Sequence, residues 1–354
     1  MIQLITRRLL YGLLVLAGVV VLVFFLFQGF GDPSRIVMGQ TGDSTTQANI
    51  RKELYLVDEK GEKIPRFKQF LFYLNDVSPL CIHSAEDIKK KKLKGLFIGG
   101  QKKFGLKIPY LRTSYQSKRE VGAVLVQALP GTIMLAVAAM FIAILIGIPL
   151  GVLAAVKQNT WLDTSAVFSS IIGISAPSFF MGIILMYVFG FALSHWTGLH
   201  IAGSWFAIDE EGQRRLTMQN LVLPALTLGI RPLAIITQLT RSAMLDVLDQ
   251  DYIRTAYAKG LGKKAVIWKH GLRNALNPVI TAITGWFAEL LAGAFFVEYI
   301  FGWQGIGKVT VDALEKLDYP VVMGSVLVSA SFFILINILA DILYAVVDPR
   351  IRLK

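Results

Sequence analysis

The sequence predicts an all-α integral membrane protein with six transmembrane helices. Of its 354 residues, 54% are hydrophobic and 17% are charged, whereas about 25% are charged in an ordinary soluble domain. So many apolar side chains cannot be hidden in one soluble core without leaving large apolar patches exposed. The composition therefore argues against a soluble enzyme, a disordered protein and a nucleic-acid-binding domain.

Six apolar stretches are each long enough to cross a bilayer, which requires about 20 residues in a helix. They cover residues 9–30, 132–156, 166–193, 221–240, 279–301 and 321–347. Because these stretches lack the alternation of barrel strands, helices are the form that satisfies their backbone in lipid. The first is too long for a signal peptide and has no cleavage site, so we expect it to be retained. Pro177 is expected to kink the third.

Lysine and arginine residues predict the orientation of these spans. With the N-terminus inside, the inner segments hold 13 basic residues and the short outer loops hold 4. Because short cytoplasmic segments are enriched in such residues, both termini should be cytoplasmic. Residues 32–120 then lie outside with 18 basic and 10 acidic residues, which long loops tolerate. We expect a solvated surface there and no nucleic-acid site.

The predicted organisation has three parts. Residues 1–31 form the N-terminal segment and helix 1, residues 32–120 form an extracytoplasmic insert, and residues 121–354 form the membrane core.

The residues that usually support catalysis or metal binding are sparse. One cysteine excludes an internal disulfide framework, and four widely spaced histidines offer no metal-ligand spacing. The segment 302–308 resembles a phosphate-binding loop, but Val309 stands where a hydroxyl should hold magnesium. We therefore expect no catalytic residue, no metal site and no cofactor bound by this chain.

A 38-residue cytoplasmic loop, residues 241–278, is too long for a simple connector. Its pattern predicts a helix, a break at Gly260 and Gly262, and a second helix. Ala256 and Gly260 are four residues apart, so they should share a helix face that another backbone can approach. Two interpretations stay open at this point: docking into a partner protein, or an amphipathic helix on anionic lipid.

This loop resembles the "EAA" coupling loop of ABC importer permeases. The resemblance rests on Ala256, on Gly260 four residues later, and on Leu272 twelve residues after that. Arg254 and Thr255 stand where the general motif has Glu and Ala, and this departure is itself similar to the dipeptide, oligopeptide and nickel subfamily. In that family the loop inserts into a groove on a cytoplasmic ATPase. The coupling residues implied are Arg254, Thr255, Ala256, Gly260, Leu261 and Leu272.

The resemblance covers roughly residues 1–40 and 110–354. It includes the first helix closed by Gly31-Asp32-Pro33, the segment LPGTIMLAVAAMFIAILIGIPLGVLAA, and the end NILADILYAVVDPRIRL. It implies the type I importer fold and a first, B-type permease subunit in the plasma (inner) membrane. Substrate would move by alternating access. Di- or oligopeptides are the first expectation, and nickel or another small solute stays open.

The resemblance also implies partners. A second homologous permease, cytoplasmic subunits carrying ATP and magnesium, and an extracytoplasmic solute-binding protein should assemble with this chain in the bilayer. No enzyme activity of its own and no nucleic acid are expected. A secondary carrier, or a membrane-anchored enzyme or scaffold working through residues 32–120, is a less favoured alternative.

Polar residues within the spans are candidates for the pore or for gating, because charges at membrane depth usually face a bundle interior or water. Glu298 and Asp341 match acidic family positions, and Asn337 lies one turn before Asp341. For these three, hydrogen bonding between helices or at a helix end is the alternative. The family tends to have a small residue at Glu289, which could contact a cationic substrate group or pair with Arg231.

Overall fold

The computed structural model describes residues 2–29, 51–52, 55–58, 61–208 and 214–347. The predicted helix end Gly31-Asp32-Pro33 and the C-terminal basic residues Arg350, Arg352 and Lys354 lie outside this part of the chain. Two compact units are distinguished. The first contains residues 128–308 with both chain ends, up to Leu9 and from Ser331 onward, and the second contains residues 10–127 and 309–330.

The long helices follow the predicted apolar stretches. They are α1 (Ile2–Gly29), α4 (Val121–Val156), α5 (Trp161–Ser175), α6 (Ser178–Leu185), α8 (Gln219–Leu248), α11 (Leu272–Gly293) and α14 (Tyr319–Val347). Most extend beyond the apolar residues at one end. Helix α4 starts 11 residues before the predicted stretch, because residues 121–131 carry no charged residue and keep helical hydrogen bonding past Pro130.

Shorter elements connect these helices. They are α2 (Arg66–Val77), β1 (Leu80–Ser84), α3 (Ala85–Lys90), β2 (Gly95–Gly99), β3 (Lys102–Lys107), α7 (Ser194–Thr197), β4 (Phe206–Ile208), β5 (Arg214–Leu216), α9 (Asp251–Ala258), α10 (Lys263–Ala265), α12 (Phe295–Ile300) and α13 (Ile306–Glu315). π-Helical turns follow α6 at Met186–Ala192 and α10 at Val266–Gly271.

The core of the first unit forms where α4, α8 and α11 meet. Ala136 and Ala139 of α4, Ile236 of α8 and Val279 of α11 are fully buried in one cluster. Small side chains let helix backbones approach closely, which matters in lipid because the hydrophobic effect between helices is absent there.

The third predicted span is broken, where the sequence predicted a kink. Helix α5 ends at Ser175, α6 begins at Ser178, and the two segments are bent by 112°. Ala176 has an extended backbone with φ −76° and ψ 131°. Pro177 imposes this break because its ring disfavours a helical residue before it and because it has no N–H to donate.

The broken pair still follows α8 along its length. Gly173 of α5 lies against Ala234, whereas Gly190, after α6, lies against Leu223, about three helical turns earlier on α8. The contacts of the pair along α8 therefore follow an antiparallel order.

In the described part of the chain, four helices are long and apolar enough to cross a membrane, or five if the broken pair counts as one span. The predicted span 279–301 is divided differently: α11 ends at Gly293, and Ala294 separates it from α12. Helix α11 is not among the four, and it carries Arg273, two asparagines and Glu289.

The second unit contains the described part of the insert and pieces of the membrane helices. Tyr73 of α2 is buried against Val23 and Phe24 of α1 and Met323 of α14, and its ring centroid lies 5.5 Å from that of Phe24. The buried Asp318, just before α14, accepts hydrogen bonds from the Tyr115 amide (3.0 Å) and the Ser114 hydroxyl. These contacts hold the insert to the ends of the helices within this unit.

The insert contains an antiparallel sheet in the order β1-β3-β2. One face carries large apolar side chains that are 57–82% exposed: Leu80, Ile82, Leu96, Ile98, Phe104 and Leu106. The register pairs Leu80 and Leu96 with Leu106. The expectation of a solvated basic surface did not include this apolar face, which is of the kind that marks contact surfaces.

Candidate functional sites

The predicted coupling loop, residues 241–278, has the predicted helix, break and helix. Helix α8 continues through the start of the segment to Leu248. Gln250 is extended, α9 follows, and the chain turns before α10. The second helix then runs past Pro278 into α11 without interruption. We call residues 251–262, which comprise α9 and the turn after it, the elbow.

A Schellman motif ends α9 at Gly260. The Gly260 amide donates to the Tyr257 carbonyl (2.9 Å) and the Leu261 amide donates to the Ala256 carbonyl (3.3 Å), the two bonds that define this motif. Gly260 has φ +78° and open space around it. Because α9 ends at Ala258, the prediction that Ala256 and Gly260 share one helix face is wrong: glycine here terminates the helix.

The six predicted coupling residues divide by exposure. Arg254, Thr255, Gly260 and Leu261 are exposed. Ala256 is buried with Ile253 and Val266, and Leu272 is buried in a cluster with Met244. Ala256 therefore packs the elbow on the end of α8, whereas Leu272 packs the start of α11 on α8. The other four residues lie on the surface of the elbow.

Sequence reasoning missed two exposed aromatic residues, Tyr257 in the elbow and Trp268 after it. The side chains of Tyr257 and Trp268 are 44% and 50% exposed. The Tyr252 hydroxyl accepts a hydrogen bond from the Asn274 side chain at 2.8 Å, which joins α9 to α11. The signal that could have found them is aromatic residues at helical spacing within a basic segment.

A second missed feature lies at the beginning of the loop. Arg241 of α8 donates two hydrogen bonds to the Asp163 carboxylate of α5, one of them Nη2 to Oδ2 at 2.8 Å. The Asn159 amide donates to the same carboxylate at 3.0 Å. The Asp163 side chain is 5% exposed. A lone acid in the short inner segment 157–165 was the available signal.

Glu298 is fully buried and accepts hydrogen bonds from the backbone. The Gly307 and Lys308 amides, in the first turn of α13, donate to its Oε2 at 2.7 and 3.2 Å. A side chain at Gly305 or Gly307 would overlap this carboxylate. The glycines that resembled a phosphate-binding loop thus make room for a buried carboxylate that caps the start of a helix. This position agrees with the alternative role for Glu298, hydrogen bonding at a helix end.

Trp303 fastens the same loop to α4. Its indole Nε1 donates to the Gly131 carbonyl at 2.8 Å, and the Ile306 amide donates to the Thr132 hydroxyl at 2.9 Å. Trp303 is fully buried. Sequence reasoning assigned no role to it.

Asp341 pairs with the opposite end of the chain. Its Oδ2 lies 2.9 Å from Nε of Arg8, and both side chains are partly exposed. Asn337, one turn earlier, donates to the Phe333 carbonyl of its own helix at 2.9 Å. Asp341 thus has Arg8 as an ionic partner, and Asn337 is bonded within α14.

Arg231 and Glu289 approach each other, as one of the two predictions for Glu289 required. Arg231 Nη1 lies 3.9 Å from Glu289 Oε1, and the side chains are 54% and 55% exposed. The Arg231 guanidinium lies 5.4 Å from the ring centroid of Trp286. A cavity of about 280 Å³ beside them reaches the break at Ala176 and Pro177. Among the described residues, no group of histidine, cysteine and carboxylate side chains could hold a metal ion.

The long apolar helices are those of a multi-pass membrane protein. The chain belongs to the family of binding-protein-dependent transport system inner membrane components, whose model matches residues 147–353. It is 36% identical to the dipeptide transport system permease protein DppB of Escherichia coli (strain K12), covering all of both chains. It is 35% identical to the glutathione transport system permease protein GsiC of Salmonella typhimurium, again covering all of both chains.

A solved structure shares the fold. A chain of the MetNI methionine ABC transporter, in an inward-facing conformation, matches with a TM-score of 0.50 and 18% identity. The match covers 64% of this chain and 97% of that one. The predicted type I importer fold is confirmed as a fold class.

Proposed function

We propose that the chain is the membrane-spanning permease subunit of an ATP-driven importer of di- or oligopeptides. The observation that carries the proposal is similarity over the full length to permeases named for dipeptide and glutathione transport. Glutathione is itself a tripeptide, so both named solutes carry peptide backbone and charged ends.

Six spans are part of the proposal: α1, α4, the broken pair α5–α6, α8, α11 and α14. Counting the pair as one span is supported by its course along α8. Helix α11 has 22 residues and is about 33 Å long, enough to cross the hydrocarbon core. An even count puts both termini on the same side, and the basic residues of the short inner segments favour the cytoplasmic side. Three spans separate the insert from the coupling loop, which places the two on opposite sides of the membrane.

The elbow is the proposed contact with the ATPase. Its exposed surface combines Arg254 and Thr255 with Gly260 and Leu261, a mixture of charged and apolar groups that suits a protein groove. Buried Ala256 packs the elbow on the end of α8, and the Tyr252 hydroxyl bonds to Asn274 of α11. Leu272 in turn packs α11 on α8. A movement of the elbow is therefore transmitted to both α8 and α11.

Transport then follows from alternating access. A ligand shifts a conformational equilibrium only through different affinities for the two states, and ATP with magnesium supplies that difference on the partner subunits. Closure of the ATPase dimer moves the coupling loop and opens the pore outward, and hydrolysis reverses the change. A second homologous permease completes the pore, and a solute-binding protein delivers substrate from outside.

Reconstitution of the whole assembly tests this function. Proteoliposomes containing the permease pair, the ATPases and the binding protein should accumulate labelled peptide with external binding protein and internal ATP. The same vesicles with a non-hydrolysable ATP analogue are the control. Nickel accumulation without peptide accumulation would contradict the peptide assignment. Uptake by this chain alone, driven by an ion gradient, would contradict the importer.

A further inference from the structure

Arg231 and Glu289 differ from a structural ion pair in the same protein. Asp163 and Arg241 make a two-point contact with side chains 5% and 25% exposed. In contrast, Arg231 and Glu289 are each more than half exposed and 3.9 Å apart, which is beyond hydrogen-bond distance. An exposed ion pair of this kind contributes little to stability. Charged side chains within apolar helices are costly, so stability does not explain why these two are present.

Both charged groups retain hydrogen-bonding capacity. A guanidinium has five donors and a carboxylate has about four acceptor sites, and the loose pair satisfies few of them. The Trp286 ring lies beside the Arg231 guanidinium, and this cation–π contact holds the guanidinium next to the cavity. The site can therefore receive one anion and one cation side by side.

The adjoining cavity has the size and lining for a small ligand. Its volume is about 280 Å³, near the lower end of the usual range for ligand pockets, about 300–1,000 Å³. Apolar residues such as Ile174, Leu228 and Leu290 form much of the wall. The break at Pro177 opens this wall, as broken helices do at the substrate sites of other transporters.

We propose that Arg231, Glu289 and Trp286 form a transit site for zwitterionic dipeptides, an inference that rests on the proposed import of peptides. Arg231 receives the terminal carboxylate through two parallel hydrogen bonds, and Glu289 receives the terminal ammonium. Two extended residues span about 7 Å, so a dipeptide presents both charges to one site. A longer peptide presents one charge at a time.

The test uses the reconstituted complex with Ala-Ala, acetyl-Ala-Ala, which lacks the ammonium, and Ala-Ala amide, which lacks the carboxylate. Uptake is measured with the binding protein saturated. Glu289→Gln should lower Ala-Ala uptake about tenfold and reduce the preference over acetyl-Ala-Ala, because one charge-assisted hydrogen bond is lost. Arg231→Gln should reduce the preference over the amide instead. Glu120→Gln, an exposed acid outside the spans, is the matched control.

A second measurement bypasses the binding protein. Ala-Ala at tens of millimolar should raise the Tm of the purified wild-type complex, and should not raise that of either variant. If wild-type vesicles import Ala-Ala while both variants import it at the same rate with the same preferences, the transit site is wrong and the importer stands. If wild-type vesicles import no peptide under ATP, the proposed function itself fails.

Discussion

Gly260 acts through its backbone conformation and its exposure. At φ +78° any side chain is strained, at a cost of about 1 kcal/mol, yet no neighbouring atom would be struck. The glycine is thus required by the turn that ends α9, and bulk there projects outward.

Gly260→Trp should leave membrane insertion intact while lowering ATPase binding and transport. The indole would occupy the space in which the ATPase groove must lie. Co-purification of the ATPase and ATP-driven uptake are the measurements. Gly260→Asn, which tolerates the left-handed conformation, is the control and should retain most activity. Normal uptake by the Trp variant would count against the elbow as the contact.

Glu298 is an acid whose role is internal. Glu298→Ala would leave two amides of α13 without an acceptor, at a cost of about 2–4 kcal/mol. We expect a clear fall in the Tm of the detergent-purified protein. Glu298→Gln keeps an acceptor oxygen, so its Tm should fall less than that of Glu298→Ala. Equal Tm values for Glu298→Ala and the wild type would show that the carboxylate does not hold this loop.

At the scale of elements, α5 and α8 are joined at the edge of the coupling loop. The Asp163–Arg241 contact fastens the beginning of the broken span to the helix that leads into the elbow. In the proposed mechanism, a movement of the elbow would therefore reach α5 as well as α11.

Asp163→Asn should lower the number of solute molecules imported per ATP hydrolysed, because α5 would no longer follow α8. The amide keeps an acceptor for the Asn159 backbone, so folding should be affected by only about 1–2 kcal/mol. The exchanged pair Asp163→Arg with Arg241→Asp should recover part of the coupling. Lys157→Gln, an exposed neighbour, is the control. A coupling ratio unchanged in Asp163→Asn would refute this transmission.

Hydropathy located the elements better than it described their breaks. The stretch 321–347 agrees with α14 to within two residues. Pro177 marked the site of a break, but its 112° angle depends on tertiary packing that no single-sequence pattern contains. Similarly, helical spacing placed Ala256 and Gly260 on one face, because it could not tell that Gly260 adopts a positive φ and ends α9.

Pairing between distant residues was the least predictable part of the candidate sites. Charge and position suggested an ion pair between Arg231 and Glu289, since both residues interrupt apolar stretches. In contrast, two other ion pairs join segments whose proximity follows only from the fold. These are Arg241 with Asp163 and Arg8 with Asp341. The buried position of Glu298 beneath two glycines likewise depends on loop geometry.

At the scale of the whole molecule, we propose that this chain is one half of a pore that its partner subunits move. Its elbow is fixed to the helices by buried residues, and its outer surface carries the groups that a partner would contact. The family and the full-length relatives place it in binding-protein-dependent transport. We propose that the energy for movement arrives through the elbow.

Site-directed cross-linking tests this claim most directly. Cys81 is the single cysteine of the chain, and burial raises the pKa of its thiol, so an introduced cysteine should react first. Leu261→Cys with a short thiol cross-linker should capture the ATPase in the assembled complex, with a yield that changes between ATP-bound and nucleotide-free states. Trp196→Cys, at a side chain 87% exposed and far from the elbow in sequence, should not. Failure of Leu261→Cys to capture the ATPase in any nucleotide state would contradict the account.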